Sequence, residues 1–418
     1  MTMVLFWSAP DAARERGRRA ALMSLIASCP PAALPALLAR EQAAADPALP
    51  VRGAVAAGDR TSLLAMLAGP EPCAPVRTPP RRLALLLPGH GFQQPAMGAR
   101  LYGWHPVFTA AVDEVLDALG AAGERLRVDW LGGNDVDSAE SGQPLLFALG
   151  YALGRVLCGW RAAPDALLGH SVGELAAATL AGVLEVRAAA ALLSRRRVSY
   201  REAPAGGLVA VAAPAAALTA YLTPNVRVGV VNGPEQTMLA GPAAELDAVV
   251  RRLRADGRTV VPARIPVPFH SPALAPLARR FTADLAGVRL GAPTTPLYST
   301  ASGALLTAAQ AETPDFWGGQ VARPVLFWPA LRALLDDGDA LLLDGGPGRA
   351  LTALARRHAA VRDGHSAVVA MLPARPGDDR LQLALVAARL WRDGHLSTSL
   401  PGFPPAATSA PMSSNVSV

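Results

Sequence analysis

Short apolar runs alternate with helical-period segments along most of the chain, the texture of an α/β protein. Residues 4–8 predict a strand leading into a helix, and "PVRGAVAAGDRTSLLAMLAG" predicts a second strand–helix pair. "GPEPCAPVRTPP" then reads as a Pro-rich linker, closing a small unit over 1–80. "RLALLLPGHG" predicts a strand that breaks at 88–91, followed by helices over 107–119 and 144–160 and a strand over 166–168. Beyond residue 206 the order becomes β-α-β-β-α-β, the split-βαβ pattern of a ferredoxin-like insert, over 207–272. The α/β texture returns in "TTPLYSTASG", "FWGGQVARPVLFWPALRALL" and the strand "DALLLDGGPG". A helix over 378–392 precedes a Ser/Pro/Ala-rich tail, 395–418, expected to be disordered.

The expected organisation is therefore an α/β unit over 1–80, followed by a large subdomain from 81–206 and 273–369 with a mostly parallel sheet. The small ferredoxin-like subdomain, 207–272, interrupts it, and 370–394 forms a following linker. No internal repeat stands out.

Composition narrows the class without changing that picture. Of 418 residues, 51% are apolar and 17% charged, as in a well-buried globular protein. All 39 basic residues are Arg, so a catalytic or Schiff-base Lys is excluded. The formal charge of +6 suits an anionic substrate or an acidic protein partner and is too dilute to point to nucleic acid. Cys29, Cys73 and Cys158 are scattered, without metal-ligand spacing, as expected of reduced cytosolic thiols. The first residues have too short an apolar run for a signal peptide, and Arg155 interrupts "LFALGYALGRVLCGW". A cytoplasmic, membrane-free protein with no bound metal is expected.

The chemistry concentrates in "DALLGHSVGELAAATLAGVL", where a strand, a Gly-x-Ser-x-Gly turn and an Ala-rich helix follow one another. Such a turn exposes Ser171 and aims helix N-terminal N–H groups at a developing oxyanion. Seven His are candidate bases. His105, His358, His365 and His395 read as surface or capping residues, and His170 is expected to face away from its neighbour Ser171. His90 and His270 remain. His270 lies in "IPVPFHSPAL", where the insert rejoins the larger subdomain, a natural cleft wall.

Six segments in this order, "LLLPGHGFQQPAMGARLYGWHPVF", "GQPLLFALGYALGRVL", "LLGHSVGELAAATLAGVL", "VVNGPEQTMLAG", "VPFHSPAL" and "FWGGQVARPVLFWPAL", carry a resemblance. The region 81–360 resembles the acyltransferase domains of modular polyketide synthases and the related malonyl-CoA:acyl-carrier-protein transacylases. Residues 1–78 resemble the linker between a ketosynthase and its acyltransferase, and 370–394 the segment after the domain. The chain looks like a stand-alone acyltransferase with its flanking linkers.

The resemblance implies an α/β-hydrolase-like large subdomain, Ser171 as nucleophile and His270 as general base, without an Asp third member. It implies that a backbone carbonyl, placed at Leu326, orients the His270 ring, and that the main-chain N–H groups of Val172 and His90 hold the oxyanion. The family usually has Gln at the latter position. Its carboxylate-binding Arg falls on Arg196 in "SRRRVSY", with Arg195 and Arg197 as a solvated helix end. Gln93, Gln143 and Asn232 are supporting candidates. Val172 and Phe269 fit a malonyl preference, whereas Tyr200 stands for the usual Met and Leu326 for the usual Arg. The implied substrates are acyl-CoA and a phosphopantetheinylated acyl carrier protein, with no bound cofactor. A polyketide synthase module is the implied wider partner, in antibiotic biosynthesis.

Three rival readings remain open from the residues. One is a transferase or hydrolase acting on a carrier-bound acyl chain without a carboxylate. Another is a patatin-like acyl hydrolase pairing Ser171 with Asp344 of "LLLDGGPG". The third is a non-catalytic docking scaffold.

Overall fold

The structure, a computed structural model, describes residues 2–70, 73–347 and 351–396. It divides into two compact units. One comprises residues up to 80, 103–106 and 380 onward; the other comprises 81–102 and 107–379.

In the first unit β1 (Met3–Ala9), β2 (Val51–Ala57) and β3 (Cys73–Pro75) form an antiparallel sheet in that order. The two-residue period of β1 sends Met3, Leu5 and Trp7 to one face, where Leu22, Ile26, Leu63 and Leu67 cover them. Phe6, on the other face, stacks on Trp391 with ring centroids 5.3 Å apart. Because both faces are covered, β2 is buried throughout and its sequence shows no alternation. The expected linker 69–80 is corrected here: Cys73–Pro75 pairs with β2, and Pro is tolerated because β3 is an edge strand.

The second unit holds two sheets. Its strands are β4 (Arg82–Leu87), β5 (Ala166–Gly169), β6 (Gly206–Val211), β7 (Arg227–Gly233), β8 (Gln236–Pro242), β9 (Val260–Pro262), β10 (Leu297–Ser299), β11 (Ala304–Leu305), β12 (Ala340–Pro347) and β13 (Ala367–Leu372). The large sheet runs β11-β10-β5-β4-β12-β13, parallel except for the edge pair β10–β11. β13 belongs to this sheet, so the expected boundary at 369/370 falls inside a strand; the sheet's own hydrogen bonds extend the large subdomain past it. The helix expected from 144 begins earlier, at Ala139–Gly159. Ser138 accepts from the Ser141 N–H as its cap, and Pro144 leaves one main-chain bond unmade.

The small sheet runs β7-β8-β6-β9, antiparallel throughout, which is the ferredoxin-like order. Helix Ala243–Ala255 packs Leu246, Val249, Val250 and Leu253 on Val209, Val211 and Leu239. The first expected helix is instead a 3-10 turn, Ala215–Tyr221, held short between Pro214 and Pro224. The opposite face of the sheet carries Leu208, Ala210, Val230, Asn232 and Met238 into the cleft described next. Main-chain bonds from Val231 N to Val325 O and from Val325 N to Gly229 O, both 2.8 Å, fasten this sheet to the segment before helix Phe327–Asp336. Among the described residues no helix is long and apolar enough to cross a membrane.

Candidate active site

β5 ends at Gly169, and two residues later Ser171 caps helix Val172–Leu180 with φ 53° and ψ −120°. A non-glycine residue adopts such a φ only when its surroundings impose it. The two motif glycines let those surroundings close. A Cβ on Gly169 would lie 2.2 Å from the Glu174 nitrogen, and one on Gly173 would lie 2.2 Å from the Leu87 carbonyl oxygen. The strained turn thus lifts Ser171 out of the sheet end beside the first N–H groups of a helix.

Ser171 Oγ lies 2.8 Å from His270 Nε2. His270 also has a positive φ, 63°, and its main-chain N–H donates to Val321 O at 2.7 Å. Its Nδ1–H donates to the carbonyls of Arg323, at 2.9 Å, and Gln320, at 3.2 Å. That tautomer leaves the Nε2 lone pair facing the serine hydroxyl. Burial pushes the His270 imidazole down to about 4, opposed by these carbonyl bonds, so the ring is neutral at physiological pH. This is the arrangement that a serine hydroxyl and a neutral imidazole need for proton transfer between them.

A cleft of about 440 Å³ opens over this pair, lined by His90, Gln93, Gln143, His170, Asn232 and Phe269 among others. His90 Nε2 meets Asp137 O at 2.9 Å, and Gln93 spans the Gly91 N–H and Asp137 Oδ1, at 2.8 and 3.2 Å. Neither the Val172 nor the His90 main-chain N–H has a protein acceptor among the described residues. Tyr200 and Arg196 lie one layer back, outside the lining. Tyr200 donates its hydroxyl to Gln143 Oε1 at 3.0 Å and meets Phe269 edge-on at 4.9 Å. Arg196 is 2% exposed, with Nη2 on Trp317 O at 2.8 Å and its guanidinium 5.2 Å over Phe281. Its Nε has no partner, and no carboxylate pairs with it among the described residues. Burial accordingly pushes its pKa down. Arg195, by contrast, is half exposed and pairs with Asp284.

The family model described as "Acyl transferase domain" matches residues 85–391. The chain belongs to the acyltransferase domain family. It is 32% identical over 340 residues to one polypeptide of the phenolphthiocerol/phthiocerol polyketide synthase of Mycobacterium tuberculosis, covering 77% of this chain and 23% of that one. The chain thus spans about a quarter of that relative's length. Among solved structures, the acyl transferase domain of SpnD, in complex with 2-(pent-4-yn-1-yl)malonyl, superposes with TM-score 0.84 at 30% identity, over 96% of this chain and 98% of that one. The malonyl-CoA:acyl carrier protein transacylase of Xanthomonas oryzae superposes with TM-score 0.64 at 26% identity, over 70% and 95%.

Within this acyltransferase domain several expectations need correction. Leu326 does not orient His270. Its carbonyl accepts from the Ala330 N–H at 3.1 Å, and the 3-10 turn Gly319–Ala322 instead turns the Gln320 and Arg323 carbonyls toward the ring. The His170 ring bonds Asn232 Oδ1 through Nε2 at 2.9 Å rather than Ser171, and it forms part of the cleft wall. His105 is fully buried rather than a surface residue. Asp344 is no partner of Ser171. It is a buried residue of β12, not of a turn, and accepts from Gly346 N, Thr352 N and the Thr352 hydroxyl at 2.9, 2.6 and 2.8 Å. The residues missed from sequence, Gln320 and Arg323, act through main-chain carbonyls, which leave no side-chain signature. The expected disordered tail lies almost wholly outside the described residues.

Proposed function

We propose that this acyltransferase domain carries an acyl group, malonyl, from CoA to the phosphopantetheine thiol of an acyl carrier protein in polyketide biosynthesis. The observation that carries the reading is the Ser171–His270 pair, 2.8 Å apart, with the base held by two carbonyls. His270 takes the proton as Ser171 attacks the thioester carbonyl, and the Val172 and His90 N–H groups receive the oxyanion. His270 then returns the proton to the departing CoA thiolate. The acyl-serine is finally attacked by the carrier thiol along the reverse route. Acyl-CoA and the carrier are substrates, and no cofactor takes part.

Arg196 supports a carboxylated substrate. A buried guanidinium without a counterion is stabilised by an incoming carboxylate, which its planar fork binds at two points. Phe269 lines the cleft and packs edge-on against Tyr200, which like Arg196 lies behind that lining. On this reading the Phe269 ring is the lining group that crowds an α-methyl substituent. Exposed Arg251, Arg252 and Arg254 on helix Ala243–Ala255 offer a basic face for an acidic carrier.

The same layering favours a second reading, transfer or hydrolysis of a carrier-bound acyl group that lacks a carboxylate and stays in front of Phe269. Intact-protein mass spectrometry after incubation with malonyl-, methylmalonyl- and acetyl-CoA separates the two. A malonyl adduct absent from Ser171→Ala supports the first reading. No adduct from any CoA, with one from an acyl-carrier donor, supports the second.

A further inference from the structure

Glu174, three residues beyond the nucleophile, is fully buried and outside the cleft lining. Its carboxylate gathers donors from two separate segments. From β10 and the residue after it come the Ser299 hydroxyl, the Thr300 N–H at 3.2 Å and the Thr300 hydroxyl at 2.7 Å. From the 3-10 turn Gly319–Ala322 comes the Gln320 side-chain Nε2–H, at 3.2 Å. The carbonyl of this same Gln320 accepts from His270 Nδ1–H, and the next residue's carbonyl accepts from the His270 main-chain N–H. Gln320 is itself buried, and Glu174 is its side chain's hydrogen-bond partner. The helix that begins at the nucleophile is therefore tied, through one carboxylate and one amide, to the turn that aims the base.

We infer that Glu174 is a positioning residue for the His270 base, acting through the Gln320 side chain to hold the carbonyls that orient Nδ1. The dyad lacks a carboxylate on the imidazole itself. The carboxylate sits one residue further out, on the segment whose main chain does the orienting. A buried polar link of this kind fixes direction as well as distance, because each member has one geometry that satisfies it. Rotation of the 319–323 turn would move both carbonyl acceptors together and let the imidazole turn away from Ser171. Glu174 also bonds Ser299 and Thr300, at the end of the strand beside β5, so the base, the nucleophile and the sheet end share one hydrogen-bonded node.

This inference rests on the Ser–His reading above, and its test reads that pair without a thioester. Phenylmethylsulfonyl fluoride sulfonylates an activated serine whatever acyl group the site prefers. Labelling rates of Ser171 are compared in the unchanged protein, Glu174→Ala, Glu174→Gln, Gln320→Leu and the double variant Glu174→Ala/Gln320→Leu, with thermal unfolding as a fold control. Glu174→Ala is expected to slow labelling roughly tenfold or more, a fraction of a positioned base's usual contribution. Glu174→Gln, whose amide oxygen can still accept from Gln320 and Thr300, is expected to stay within about threefold of the unchanged protein. The double variant should be no slower than the slower single one, since both cut the same link.

Equal labelling of folded Glu174→Ala and unchanged protein overturns the inference, as does failure of Gln to rescue or full additivity in the double variant. If Glu174→Ala does not fold, Gln320→Leu alone decides: it keeps the carbonyl, loses the amide, and must slow labelling. An unchanged protein that is not labelled at all sinks the Ser–His reading itself. Labelling without malonyl transfer leaves the Glu174 role standing and removes only the malonyl assignment.

Discussion

The Arg196 guanidinium lies 5.2 Å over the ring of Phe281, buried and without a carboxylate partner among the described residues. A desolvated charge held by one carbonyl and an aromatic face is a cost to the folded chain, which a function must offset. Arg196→Met is expected to raise the thermal midpoint, by about 1 kcal/mol or more of added stability, while lowering malonyl loading by at least about a hundredfold. Calorimetry and intact mass check both signs. Unchanged preference for malonyl over acetyl in this variant removes Arg196 as the carboxylate partner.

As the proposed base, His270 is expected to set the pH dependence. With its imidazole pushed down to about 4, against an ordinary 6.5, the rate of Ser171 acylation in the free enzyme is expected to stay level from neutrality down to about pH 5 and to halve near 4. An unperturbed His would halve it near 6.5. Stability follows the same sign. Between about 4 and 6.5 the unfolded chain takes up a proton that the folded site refuses, so this contribution is complete above 6.5 and lost as pH falls through 4. Brief acid pulses with quenched-flow labelling separate the rate effect from unfolding.

Phe269, in the cleft lining, meets Tyr200 edge-on at 4.9 Å. Phe269→Ala should open space for an α-substituent and raise the methylmalonyl-to-malonyl ratio about tenfold, a methyl group's worth of discrimination. The buried ring's loss should cost about 3 kcal/mol of stability. Competition between the two CoA thioesters, read by adduct mass, checks the ratio. A ratio that stays put means the substituent points elsewhere.

Gly173 is a packing requirement of the turn. Gly173→Ala would put a methyl 2.2 Å from the Leu87 carbonyl oxygen, a rigid main-chain atom. We expect a loss of about 3 kcal/mol or more and a soluble yield well below that of Ser171→Ala. Denaturant unfolding of the two variants side by side tests this.

Part of this architecture is written in local pattern. The strand feeding Ser171, the Gly-x-Ser-x-Gly turn and the helix after it appear where periodicity and the motif place them. The ferredoxin-like insert is legible for the same reason, since its strands alternate and its long helix has a clean apolar face. β3 has no local signature, because three residues within a Pro-rich stretch become a strand only when β2 supplies the partner. The 3-10 turn Ala215–Tyr221 shows the converse, a helical composition cut short by its flanking prolines.

Sequence by itself singled out the residues proposed to carry chemistry: Ser171 in its motif, His270 at the rejoining segment, and Arg196 among three adjacent arginines, of which only it is buried in the fold. Side-chain identity and spacing suffice for that, because nucleophile, base and cation are chemically distinct. Tertiary structure decided how they are held. The carbonyls on His270 Nδ1 belong to Gln320 and Arg323 rather than Leu326, His170 bonds Asn232, and Arg196 is buried without a carboxylate partner among the described residues. Main-chain acceptors look alike at every position, so only the path of the backbone can choose among them.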